Sequence, residues 1–175
     1  MTAEPIQPRD LAVHALHLAR YRPRDGRSPS PWLRRSTSAS YYALFHAVAL
    51  AVAAHVGPAS SAEDRMRLAR SVDHGRVAEV CGWLLDTRGD GREHVRPIVR
   101  RLRANADLVH FARTFVRLQE ARHDADYDHL AVVDRDESLD HHSNALLALY
   151  LLERLVPTPD GQELLALIAL HTSLR

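Results

Sequence analysis

The stretch WLRRSTSASYYALFHAVALAVAAHV, residues 32 to 56, decides how the rest of the chain is read. It contains neither glycine nor proline and is rich in alanine and leucine, which predicts a long helix buried over most of its surface. Gly57 and Pro58 follow at once and end it. By helical periodicity one face carries Arg35, Ala39, Tyr42, His46, Ala49 and Ala53, small residues that admit a close neighbour together with a phenol and an imidazole four apart. The opposite face carries Tyr41, Leu44, Val48 and Val52. A Tyr and a His on a core helix are ordinarily satisfied core groups, so spacing alone leaves their role open.

Working outward, PRDLAVHALHLARY sets Leu11, Ala15 and Leu18 on one face behind a proline and an aspartate suited to a first turn, so a short helix is expected there. RPRDGRSPSP breaks it. AEDRMRLA and GRVAEVCGWLLD predict one or two shorter helices between about Ala62 and Leu85, and TRGDGRE reads as a loop. From about His94, offset by Pro97, a long periodic piece is expected to run to about Asp124. A further helix from Ser138 to Leu155 carries Leu146, Leu149, Tyr150 and Leu152; PTPDGQ punctuates it, and ELLALIALHTSL is a last short helix. No segment sustains period-two alternation. The expected fold is therefore all-α, with the helices Trp32 to Val56 and Ala104 to Asp124 packed antiparallel at its centre.

A chain of 175 residues, 46% apolar and 26% charged, suits one soluble globular domain, residues 1–175, with a real core. Its 23 basic and 22 acidic residues leave a formal charge of +1, so any contact with nucleic acid has to be a local patch. Every basic residue is arginine, the ordinary mark of GC-rich coding. Cys81 is the only cysteine, which excludes an internal disulfide and suits a reducing cytoplasm. No charged-then-apolar leader opens the chain, and no apolar run approaches the ~20 residues that span a bilayer, so a cytoplasmic protein without a membrane partner is expected.

Twelve histidines raise the question of metal, but HExxH and paired-cysteine motifs are absent, and no carboxylate frame organises His14 with His17 or His141 with His142. Neither a metal nor a cofactor is expected. Phosphate-loop, dinucleotide and hydrolase-elbow motifs are also missing. The run VRPIVRRLR, with Arg96, Arg100, Arg101 and Arg103, is either a basic patch or a solvated helix face.

LQEARHDADYDHL, residues 118 to 130, breaks a pattern. Phe111, Phe115 and Leu118 form a core stripe, and the next step of four lands on Arg122. SASYYALFHAV followed by LQEARHDADYD resembles the HEPN superfamily (higher eukaryotes and prokaryotes nucleotide-binding domain), notably small bacterial members with a Tyr-Tyr-Ala-x-Phe-His helix and a later Arg-x-x-Ala-Asp-Tyr element. The likeness covers roughly Trp32 to Leu155. It implies an antiparallel four- to five-helix bundle with extra short helices that forms a homodimer, its polar residues gathered at a cleft. In that cleft Tyr42, His46, His123, Asp126 and Tyr127 are expected. Many members are metal-independent endoribonucleases, some of them toxins of toxin-antitoxin or phage-defence systems. Their signature is an arginine, usually a polar residue after it, and a histidine after four to six intervening residues; Arg122, His123 and His129 fit it. Other members lack the signature and act as non-catalytic dimeric modules that bind a nucleotide or a partner protein, such as a nucleotidyltransferase antitoxin.

Attack by the 2′-hydroxyl of RNA on its own phosphate needs a proton shuttle near neutral pH and a fixed positive charge, which His129 and Arg122 would supply. Seven residues of unbroken helix would hold them about 10 Å apart, too far for one phosphate, so the chain has to bend near Tyr127 or two protomers have to share the site. The competing reading is an ion pair from Arg122 to Asp126 or Asp124 that closes the helix end, with His129 on the surface. Arg67 with His74, Arg103 with His110 and Arg135 with His141 satisfy the same loose spacing.

Overall fold

The computed structural model describes residues 7–24, 27–86 and 91–173, and among them there are helices and no strand. In order these are α1 (Pro8–Arg20), α2 (Ser30–Val56), α3 (Ala62–Ala69), α4 (His74–Leu84), α5 (Arg96–Leu102), α6 (Ala106–Tyr127), α7 (Arg135–Leu155) and α8 (Pro159–Ser173). Part of the expected loop TRGDGRE falls outside the described residues.

Four long helices make an up-down-up-down bundle. Contacts between Ser36 and Ala15 and between Arg135 and Ala19 and Tyr21 run α1 antiparallel to α2 and α7. Tyr42 meets Arg122 while Ser38 meets Asp126, so α6 is antiparallel to α2 as expected. Thr37 against His141 and Leu33 against Ser138 make α2 and α7 parallel, across the diagonal. Helix α2 touches α1, α3, α6, α7 and α8; its face with Tyr41, Leu44, Val48 and Val52 is buried throughout, whereas on the other face Ala49 and Ala53 are buried and Arg35 and His46 are exposed. One continuous core joins Tyr41, Leu44 and Val48 of α2 to Phe111 and Phe115 of α6, and reaches Ala12 of α1 and Ile168 of α8. Burial of large fully covered side chains such as Tyr41, Phe111 and Phe115 is what holds the bundle together.

The expected continuous helix from His94 to Asp124 is two helices. Asn105 interrupts it, its side-chain oxygen accepting from the backbone N–H of Asp107 and Leu108 at 3.1 and 3.2 Å, which caps α6. Asp134 caps α7 in the same way through Glu137 N–H, so α7 begins three residues before the expected Ser138. Leu149 and Leu152 of that helix are buried, whereas Leu146 and Tyr150 face outward. The segment PTPDGQ is a corner of very few residues. Thr158 accepts from Gly161 N–H at 3.1 Å and donates to the Leu155 carbonyl at 2.7 Å, starting α8 at Pro159.

Four arginines close helix C-termini, where carbonyls lack partners within the helix. Arg34 serves α6, Arg135 serves α1, Arg103 donates to the Trp83 carbonyl of α4, and Arg76 donates to the His171 carbonyl of α8. A planar guanidinium can reach two or three carbonyls at once, which the point charge of lysine cannot. The all-arginine composition therefore has structural consequences in this fold.

Helix α2 has 27 residues, and its most apolar window has a mean hydropathy of 1.4, long and apolar enough by composition to cross a bilayer. That corrects the expectation that no run approaches this length; in the bundle 56% of the window is buried against neighbouring helices.

Candidate functional site

Where α2 and α6 cross, Arg122 leaves the apolar stripe and enters a polar seam. Its Nη2 donates to the Tyr42 hydroxyl at 2.6 Å. Its Nε lies 2.8 Å from Asp126 Oδ2, one helical turn on, close enough for an ion pair although off the hydrogen-bond axis. Asp126 is held from the other side by Ser38, whose hydroxyl donates to Oδ1 at 2.6 Å. The guanidinium carbon sits over two rings, 5.3 Å from the Tyr42 centroid and 5.4 Å from that of Tyr127. Burial alone would weaken the guanidinium's hold on its proton, but the Tyr42 hydrogen bond and the Asp126 charge outweigh it, and its pKa rises. Arg122 is a fixed cation, with side-chain exposure of 21% against 20% for Asp126.

Behind Tyr42 lies a second polar layer. His74, the first residue of α4, is stacked on Phe45 with ring centroids 3.5 Å apart, and its Nδ1 is 2.7 Å from the Tyr41 hydroxyl. Burial and then the charge of Arg122 lower the pKa of His74, so the ring is neutral near pH 7. Burial raises the pKa of Tyr41, which keeps the phenol protonated. His46 is exposed at the rim, 6.2 Å from the Tyr42 ring, and burial of part of its ring lowers its pKa as well.

The chain bends where a shared site requires it. Helix α6 stops at Tyr127, Asp128 is extended, and Arg34 gathers the turn by donating to the carbonyls of Ala125, Asp128 and Ala131 at 2.7, 2.7 and 3.1 Å. His129 lies beyond that bend, exposed, with no hydrogen bond or ion pair to any described residue. His123 is exposed too, its ring 5.1 Å from that of Tyr127. The seam thus brings Arg122, Tyr42, Asp126 and Tyr127 together, with His46 at its edge; His123 packs outside on Tyr127, and His129 is not joined to Arg122.

Two clefts flank the seam. One, of ≈ 730 Å³, is bordered by Ser28, Arg34, Arg35, Asp126 and Tyr127. The other, of ≈ 390 Å³, lies between α1 and α2 and is lined by Leu11, His14, Leu18, Ser38, Tyr42 and His46. Arg35 borders both. Among the described residues no group of three or more His, Cys, Asp or Glu side chains is arranged to hold a metal ion. The basic run of α5 is at least partly structural, since Arg101 pairs with Glu163 and Arg103 with Asp86.

Sequence reasoning missed Ser38, His74 and Arg34. Ser38 had a signal, one turn before Tyr42 on the same helix face. His74 and Arg34 had none, because their partners lie far away in the chain. No protein-family model matches the chain, and no curated protein or solved structure matches it.

Proposed function

We propose that the chain is a HEPN-type endoribonuclease that needs no metal and works as a homodimer in the cytoplasm. The observation that carries this reading is the bend after Tyr127. It frees His129 from the helical spacing that would hold it about 10 Å from Arg122 in a continuous α6. His129 accepts the proton of an RNA 2′-hydroxyl as that oxygen attacks the adjacent phosphorus. The bond from phosphorus to the 5′-oxygen breaks, the leaving oxygen takes up a proton, and a cyclic phosphate remains. Arg122, pinned by Tyr42 and Asp126, offers a cation that does not have to reorganise as the phosphorane charge develops. Tyr127, Leu130 and Val132 are 61, 89 and 83% exposed beside this end of the molecule, an apolar patch that suits a two-fold contact.

The pairing of Arg122 with Asp126 favours a second reading. A cation already balanced by a carboxylate is less available to a phosphate, which fits a non-catalytic dimeric module that binds a nucleotide or a partner protein such as a nucleotidyltransferase antitoxin. Cleavage of a panel of RNAs in EDTA, by wild type and by Arg122→Ala and His129→Ala variants, decides between them. Nuclease action requires EDTA-resistant cleavage, inert 2′-deoxy substrates, and a loss of about 10²-fold or more in each variant with helicity intact. Wild-type cleavage by His129→Ala removes that residue from the mechanism, and no cleavage by the wild type leaves the binding module.

A further inference from the structure

Arg34 and Arg35 are chain neighbours with opposite fates. Arg34 turns inward and is satisfied by three carbonyls, whereas Arg35 is exposed and makes no hydrogen bond or ion pair to a described residue. Arg122, in the adjoining seam, is balanced by Asp126. Arg35 is therefore the guanidinium bordering these clefts whose donors have no partner among the described residues, and it stands between the two clefts. The ≈ 390 Å³ cleft has the size of a small-ligand pocket. Leu11, Leu18 and Ala39 give it an apolar lining, and Tyr42, His14 and His46 add ring systems.

We infer that this groove is a nucleotide subsite for single-stranded RNA: Arg35 holds the phosphate joining the reacting nucleotide to its neighbour, and that neighbour's unstacked base enters the cleft between α1 and α2. A phosphate asks for an unpaired guanidinium, and a base asks for apolar walls with ring faces; the two lie side by side here. An acidic peptide would use Arg35 but leave the lined cavity without a partner. A base paired and stacked in a duplex has no free face to offer the cleft, so an unstacked base of a single strand is the occupant that fits it. Arg35 is on this account a positioning residue, distinct from the groups that act on the reacting atoms.

The inference rests on the RNA reading above, so binding is measured apart from cleavage. The full-length His129→Ala variant is titrated against a fluorescein-labelled single-stranded RNA of about twelve nucleotides. In that background Arg35→Ala is expected to weaken binding about tenfold, and Ala39→Phe, which fills the cleft, by a similar factor. Arg113→Ala, on the exposed side of α6, leaves affinity unchanged. In the otherwise wild-type chain Arg35→Ala raises KM with kcat within about twofold. Circular dichroism confirms that each variant is folded. Unchanged affinity in both folded groove variants overturns the inference, as does equal competition by duplex RNA or polyglutamate. If the wild type cleaves nothing but the groove variants still lose single-strand binding, the subsite stands and the nuclease reading falls.

Discussion

Arg122 of α6 donates to the hydroxyl of Tyr42 of α2 at 2.6 Å, and the residue one turn on, Asp126, is tied back to α2 through Ser38. The two helices are thus joined by a chain of polar contacts running from Ser38 through Asp126 and Arg122 to Tyr42. Replacing Tyr42 by Phe removes one charge-assisted hydrogen bond and is expected to cost about 1–2 kcal/mol in urea unfolding. Arg122→Ala leaves Asp126 with Ser38 alone and is expected to cost more, about 3 kcal/mol. Because the two residues share one contact, the double variant should fall short of the sum.

Arg34→Ala removes three hydrogen bonds from the end of α6. A loss of about 2 kcal/mol is expected, with Arg34→Lys recovering less than half of it because one ammonium cannot span three carbonyls. Faster amide exchange confined to residues 128–134 would locate the effect, and unchanged exchange there would remove Arg34 from its capping role.

Acid should destabilise the fold before the carboxylates titrate. The pKa values of His74 and His142 are lowered by burial, and further by Arg122 for the first and by Arg20 for the second. His142 Nδ1 is buried with no hydrogen-bond partner. The unfolded chain therefore binds these protons first, so their stabilisation is full above the unfolded value of about 6.5 and is lost as the pH falls through the folded values. The melting temperature should drop between about pH 7 and pH 5, and His74→Gln with His142→Gln should flatten that drop.

Gly161 is required at the α7 to α8 corner. A Cβ there would lie 1.9 Å from the Leu155 carbonyl oxygen, so Gly161→Ala has to open the corner. A cost of about 2 kcal/mol or more is expected from thermal unfolding.

The exposed patch gives a test of assembly. If Leu130 and Val132 form the two-fold contact, light scattering at micromolar concentration shows twice the chain mass, and Leu130→Glu with Val132→Glu returns the chain mass with helicity unchanged. A wild-type monomer would remove the homodimer from the proposal.

The helices were legible because their cause is local. Absence of Gly and Pro from residue 32 to 56, and Gly57 after it, set α2 to within about two residues. Periodicity alone carried the chain smoothly from about His94 into α6 and so missed the break at Asn105, whose side chain competes for the backbone N–H groups that follow it. Within the seam, the arginine standing on a core stripe was the visible anomaly, and Asp126 was in reach by helical spacing.

By itself the sequence determined an all-helical chain, the long central helix, and the one arginine out of place in a core stripe, since these follow from propensity and spacing within a few turns. Only the tertiary structure decided which of the two adjacent arginines is spent on a helix end and which faces the groove, and that Tyr42 and not a carboxylate alone meets Arg122. It also decided that His74 lies in the layer behind Tyr42, although its spacing from Arg67 looked like chance. The physical reason is that a guanidinium or an imidazole takes whatever partner the packing of distant helices brings within hydrogen-bond reach, and no local pattern encodes that distance.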